Sequence, residues 1–282
     1  MSRDLLDQVI SHALAEDRDD NAYWEAVCAL QKCDAQTVWD LVEPLSRETD
    51  PRLRAVAPDV LRYLGGPALP FAERAVALFR NILATEDAPA VISSIGCAFI
   101  DLSRFDERVE LMLPFVQHPA HEVRSAVVHG LLASQDAKAI AALITLSRDP
   151  DDDVRNWATF GLGSQLGFPE GEIIFDSPEL RAALVDRLDD PHEETRCEAL
   201  VGLAIRHDMR ALPVLKKELA EGPRFALVLD AARWIASPEL SEPLRALTHS
   251  TDADALKFWN DNGLQDAIAA CCASEHQPGK VI

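Results

Sequence analysis

One segment returns along the chain in nearly the same form. It reads His118-Pro-Ala-His-Glu-Val-Arg124-Ser-Ala-Val-Val-His-Gly-Leu131, then Asp149-Pro-Asp-Asp-Asp-Val-Arg155-Asn-Trp-Ala-Thr-Phe-Gly-Leu162, then Asp190-Pro-His-Glu-Glu-Thr-Arg196-Cys-Glu-Ala-Leu-Val-Gly-Leu203. A fourth copy, Asp50-Pro-Arg-Leu-Arg54-Ala-Val-Ala-Pro-Asp-Val-Leu61, has a shorter lead. Weaker copies centre on Tyr23, Ile92, Val228 and Lys257, so successive centres lie 31, 38, 32, 31, 41, 32 and 29 residues apart. A fixed period of this length is the signature of a solenoid, in which each unit must stack on its neighbours to bury its apolar face.

The sequence of one unit explains its local structure. Asp149 or Asp190 is expected as an N-cap that accepts from the free amides of the first helical turn. The following Pro fits the first helical position, where its missing N–H costs nothing. Acids such as Asp152, Asp153, Glu193 and Glu194 crowd the same turn, at the positive end of the helix dipole. Apolar residues then recur at helical spacing, as in Val123, Val127 and Leu131, or Val154, Ala158 and Leu162. The stretches before each copy, including 137–147 and 180–188, have a second amphipathic pattern. Each unit is therefore predicted to be a helical hairpin.

The Asp-Pro-x-x-x-Val-Arg-x-x-Ala-x-x-x-Leu pattern resembles the HEAT repeat, in the short form called the phycobilisome-lyase HEAT-like repeat. The likeness is strong from about residue 45 to 205 and weaker at both ends. It implies an all-α fold: a right-handed α-solenoid, or α-α superhelix, of about seven to eight hairpins. It also implies a structural ladder, in which the Asp before the second helix and the Arg within it tie successive units together. The matching positions are Arg54, Arg124, Asp149, Arg155, Asp190 and Arg196. Ile92 replaces one Arg and His118 one Asp, so the ladder should break there. The chain is expected to form a single domain over 1–282, with an insertion loop at 164–178 and a disordered tail at 274–282.

Charge narrows the function. Among 282 residues, 47 are Asp or Glu and 27 are Lys or Arg, a net charge of -20. Affinity for nucleic acid comes from cations that displace counterions from phosphates, so this balance argues against a nucleic-acid partner. It equally disfavours anionic membrane surfaces and favours a basic protein. The first residues lack the apolar core of a secretory signal, and no apolar run is long enough to span a membrane. The six cysteines, Cys28, Cys33, Cys97, Cys197, Cys271 and Cys272, show no regular spacing and read as reduced thiols of a cytoplasmic protein. The Cys271-Cys272 neighbours are read as incidental.

HEAT-like solenoids include scaffolds, inhibitors, lyases, oxygenases and DNA glycosylases, so activity must be argued from a site. Deoxyhypusine hydroxylases place His-Glu pairs within the second helix to hold iron. Here His121-Glu122 and His192-Glu193 fall before the Arg, in the turn, which is the wrong register. His118 and His121 have ligand-like spacing but straddle a Pro in a turn. No nucleophile, base and orienting acid occur together, nor is there a phosphate loop. The expectation is a protein that is not an enzyme and has no catalytic residues, metal or cofactor.

The second helices carry a low-charge track. With the ladder position as zero, core residues fall at -1, +3 and +7, and the opposite face at +1, +5 and +8. That face holds Arg62, Cys97, Ile100, His129, Leu132, Asn156, Phe160, Val201 and Arg233. The 41-residue step between Arg155 and Arg196 contains an insertion with Phe168, Ile173, Ile174 and Phe175, unusually apolar for a loop. Partner contacts are therefore expected from Arg62, Ile100, His129, Leu132, Asn156, Phe160, Phe168, Ile174, Phe175, Val201 and Arg233. The reading is a protein-binding solenoid, monomeric in isolation, of the inhibitor or immunity kind that occludes a basic effector or toxin. The alternatives are a general scaffold or adaptor, or a HEAT-like enzyme such as a bilin lyase or DNA glycosylase.

Overall fold

The computed structural model describes residues 1–15, 20–167 and 175–275, and among these there are helices and turns but no strand. The chain divides into two compact units, Met1–Ala142 and Leu143–Ile282, with the division inside one helix. The first unit runs α1 (Ser2–Leu14), α2 (Asp20–Gln31), α3 (Ala35–Val42), α4 (Pro51–Leu61), α5 (Ala72–Leu83), α6 (Pro89–Ala98), α7 (Glu107–Met112), α8 (His121–Leu131) and the start of α9 (Ala137–Leu146). The second continues through α10 (Asp152–Leu162), α11 (Pro178–Asp186), α12 (Glu193–Ile205), α13 (Leu212–Glu221), α14 (Ala226–Ile235), α15 (Ser241–Leu247), α16 (Ala253–Asp261) and α17 (Leu264–Glu275). This is the α-solenoid that the repeat implied: second helices stack in register, α4 on α6 on α8, and α10 on α12 on α14.

Stacking is close because small residues meet at the crossings. A Cβ added to Gly96 would lie 2.6 Å from the Ala126 carbonyl oxygen, and one on Gly202 would lie 2.5 Å from the Gly163 Cα. The core positions behave as the wheel requires, with Val123, Val127, Leu131, Val154, Ala158 and Leu162 all buried.

The cap assignment needs correction. Asp50 does cap α4, accepting from the Arg52 amide, and Pro51 opens that helix. In the later units, however, the helix starts two residues further on. The caps of α10 and α12 are Asp151 and His192. Asp149 and Asp190 instead accept from the amides of Asp151 and His192, each at 3.0 Å, closing an Asx turn ahead of the cap. His118 makes the same turn, with Nδ1 accepting from the Ala120 amide at 3.2 Å. A turn of this kind needs only an acceptor two residues before the cap, so His replaces Asp there without loss.

The ladder arginines share a second habit. Arg54, Arg124, Arg155 and Arg196 each donate from Nη1 to the carbonyl six residues earlier, on Glu48, His118, Asp149 and Asp190, at 2.9 Å in every case. In the copies led by Asp149 and Asp190, that bond accompanies the six-residue spacing from Asp to Arg. Arg155 then reaches Asp190 with Nε and Nη2 at 2.7 and 3.0 Å, joining one hairpin to the next. Arg54 makes the equivalent fork with Glu86, at 2.8 and 2.9 Å, and Arg196 lies 3.5 Å from Glu218. Glu86 and Glu218 stand where the motif offers no Asp.

The last hairpin also differs from the sequence reading. The copy centred on Lys257 falls on α16, but it is α17 that packs on α14 and α15. Cys271 of α17 is buried there and donates to the Ala232 carbonyl at 3.5 Å.

Candidate functional site

In the first unit, the faces of α4, α6 and α8 bring several predicted residues together. Arg62, just past α4, donates to Asp101 at 2.5 Å, beyond the end of α6. Cys97 Sγ lies 3.7 Å from His129 Nδ1. Burial pushes the Cys97 thiol up, and burial with the Arg62 charge pulls His129 down. Thiol and imidazole are thus both held neutral, whereas a nucleophilic cysteine works as thiolate. Ile100 is 43% exposed. Leu132 is buried, packed where α8 ends, and presents no surface to a partner.

In the second unit, α10 carries an aromatic pair with one exposed ring. Trp157 is 41% exposed and meets the half-buried Phe160 edge to face, with ring centroids 5.5 Å apart. Asn156 beside them accepts from the Thr195 hydroxyl at 3.3 Å. Val201 is a correction: it is 1% exposed, because α12 is enclosed by α10, α11 and α14. The small side chains that made its outer face look free, Cys197, Val201 and Ala204, are what allow that enclosure. Arg233 is exposed and bonds Asp230 at 3.1 Å.

The insertion is described only at its ends. Phe168 and Ile174 lie outside the described residues, as does Ile173. Phe175 is half-buried, and its carbonyl accepts from Arg206 Nη2 at 2.9 Å. The same guanidinium, fully buried, donates to the carbonyls of Gly202, Leu162 and Gly163 at 2.7, 3.2 and 3.3 Å. Burial pulls Arg206 down to about 10. Asp176 beside it bonds Arg181 at 2.5–3.1 Å, and Arg181 reaches Asp208 at 3.4 Å. Next to this stem, Ser164 donates to the buried Glu198 at 2.7 Å.

No motif pointed to Arg206, its first-unit counterpart Arg108 (buried, donating to the carbonyls of Ser103 and Gly130), or Glu198. A charge beside an apolar stretch looks the same in sequence whether it points in or out. Sequence reasoning put Asp59 at +5 on the outer track but not among the partner contacts. That side chain is only 4% exposed and accepts from the Tyr23 hydroxyl at 2.6 Å.

Among the described residues no three His, Cys, Asp or Glu side chains are grouped to hold a metal, and no helix is long and apolar enough to cross a membrane. The family profile described as HEAT repeats matches residues 95–163. This chain is a HEAT-repeat protein. The chain is 32% identical over 130 residues to protein YibA of Escherichia coli K12, and to YibA of the O157:H7 strain, over 46% of its length. The match spans 44% of the length of those relatives, under half. The X-ray structure of Escherichia coli YibA superposes on the HEAT solenoid with a TM-score of 0.72, at 21% identity, over 96% of this chain and 92% of that one.

Proposed function

We propose that this HEAT-repeat chain is a non-catalytic binding protein whose partner is a basic protein, and that it acts by occlusion, as an immunity protein does on a toxin or effector. The observation that carries the reading is the aromatic pair on α10. Trp157 is exposed and Phe160 half-buried on α10, with Trp157 one turn and Phe160 two turns from the acid Asp153. Aromatic anchors inside a charged rim are the usual make-up of an interface centre. A net charge of -20 speeds the approach of a cationic partner.

The test is capture from the native cell followed by titration of the purified partner. A basic protein should bind, with association slowing as salt rises. Trp157→Ala with Phe160→Ala, shown to be folded by circular dichroism, should weaken binding by about 2 kcal/mol or more. Deleting 168–174 tests the loop contacts in the same assay. Full affinity in the aromatic variant overturns the assignment of this face.

A further inference from the structure

We propose that a groove between α13 and α15 in the second unit seats an apolar stretch of the partner that is flanked by lysine or arginine; this rests on the reading of the chain as a binder of basic protein. The groove measures about 560 Å³ and has Leu219, Leu247 and Trp259 as its floor. Those three side chains are buried, while Ala220 and Ala246 beside them are exposed and small, so the floor is recessed and left uncovered. Trp259 comes from α16, and its indole Nε1 donates to the Pro223 carbonyl at 2.8 Å, which fixes the ring. Gly222, at φ +86°, turns the chain off α13 against that ring, where a Cβ would stand 3.4 Å away.

Its edge selects the charge of the occupant. Glu221 on α13 and Glu242 on α15 both line the groove and are exposed. Among the described residues, neither carboxylate has a hydrogen-bond or ion-pair partner. The cations close by in sequence are engaged elsewhere or stand outside the lining. Lys216 bonds Glu239, Arg224 reaches Glu193 at 3.5 Å and Arg245 reaches Cys272 at 2.8 Å, while Lys217 does not line the groove. An apolar floor with an unanswered acid on each side matches a basic segment. Its apolar side chains enter the groove, and its ammonium or guanidinium groups stay in water at the edge. The volume falls within the roughly 300–1,000 Å³ of ligand sites, which leaves room for more than one aliphatic side chain.

The experiment titrates the full chain with a fluorescent lysine-rich peptide that carries two central leucines. One control peptide has serines for the leucines, and the other has glutamates for the lysines. The leucine–lysine peptide should bind saturably, and each control about tenfold or more weakly. Glu221, Glu242 and Ala246 are exposed, so substitutions there leave the core intact. Glu221→Gln with Glu242→Gln should weaken the peptide about tenfold and flatten its salt dependence. Ala246→Phe fills the groove and should weaken it about tenfold or more with the melting temperature unchanged. Equal binding of the serine peptide, or unchanged affinity in either variant, overturns the groove. So does a wild-type chain that sediments as a dimer when Ala246→Phe sediments as a monomer, since a second copy then fills the groove. A captured basic protein that binds wild type and both variants alike also overturns it, while the binder reading stands. Peptide binding that both variants weaken, with no basic protein captured, upholds the groove and overturns the wider reading.

Discussion

Arg206 and Glu198 are two buried charges on one helix with opposite consequences. The Arg206 guanidinium serves the carbonyls of Leu162, Gly163, Gly202 and Phe175. Arg206→Met removes the donors and leaves those acceptors buried, which should cost about 3 kcal/mol or more in urea unfolding. Arg206→Lys keeps a charge but not the planar fork, so it should restore only part of the loss. Glu198 stands the other way: burial pushes its carboxyl up, and Ser164 donates to one oxygen. Glu198→Gln keeps an acceptor for Ser164 and removes a charge that has lost its water. It should stabilise the protein at pH 7, on the order of 1 kcal/mol. A lower melting temperature for Glu198→Gln would show that the charge itself is needed.

Between helices, the ladder carries the load. Arg155 joins its own turn at Asp149 to the next hairpin at Asp190, with both side chains buried. Arg155→Ala leaves the buried Asp190 with only Arg187 and the His192 amide, and should cost about 3 kcal/mol, read as a lower melting temperature. Partner affinity of the folded fraction should be unchanged, and selective loss of binding with unchanged melting would refute the structural role. This element-level logic was largely legible in the sequence: the Asp-Pro lead, the Arg and the -1, +3, +7 core all lie where the spacing places them. The cap was misplaced at Asp149 and Asp190 because an Asx turn and an N-cap use the same residue types. The open face was overextended to Val201 because the wheel shows direction and not what covers it; small residues fit both an open groove and a tight crossing. Glu86 and Glu218 escaped notice because they substitute for Asp from outside the motif.

For the whole molecule, charge predicts an unusual acid profile. Asp208 is brought down to about 2, first by its hydrogen bond from Arg210, and Glu86 and Asp176 are lowered by hydrogen bonds from Arg54 and Arg181. For Asp190 burial pushes up, but the bonds from Arg155 and the His192 amide leave it lowered. An acid lowered by folding adds stability above its ordinary value, and that stability fades as pH falls through the lowered value. Glu198 and Asp230 are raised by burial, so each costs stability above its ordinary value and the cost disappears on acidification. Self-repulsion at a net charge of -20 also relaxes as pH approaches the isoelectric point near 4.7. Melting temperature should therefore rise modestly from pH 7 to about 5, then fall steeply below about 4. A monotonic fall from pH 7 would mean that repulsion and the raised acids matter little. Excess chelator should leave melting at pH 7 unchanged, and elemental analysis should find no stoichiometric iron or zinc.

The grip of Arg206 on Leu162, Gly163 and Phe175 bears on how such a chain diversifies. One guanidinium clamps the backbone where it leaves α10 and where it returns toward α11, so the segment between is bracketed by fixed posts. Lengthening a loop between fixed ends costs only a logarithmic entropy term. Added length between the two posts therefore carries a small entropic penalty, and a directed library over 168–174 can be screened for a new target with Arg206 and the repeats left as they are.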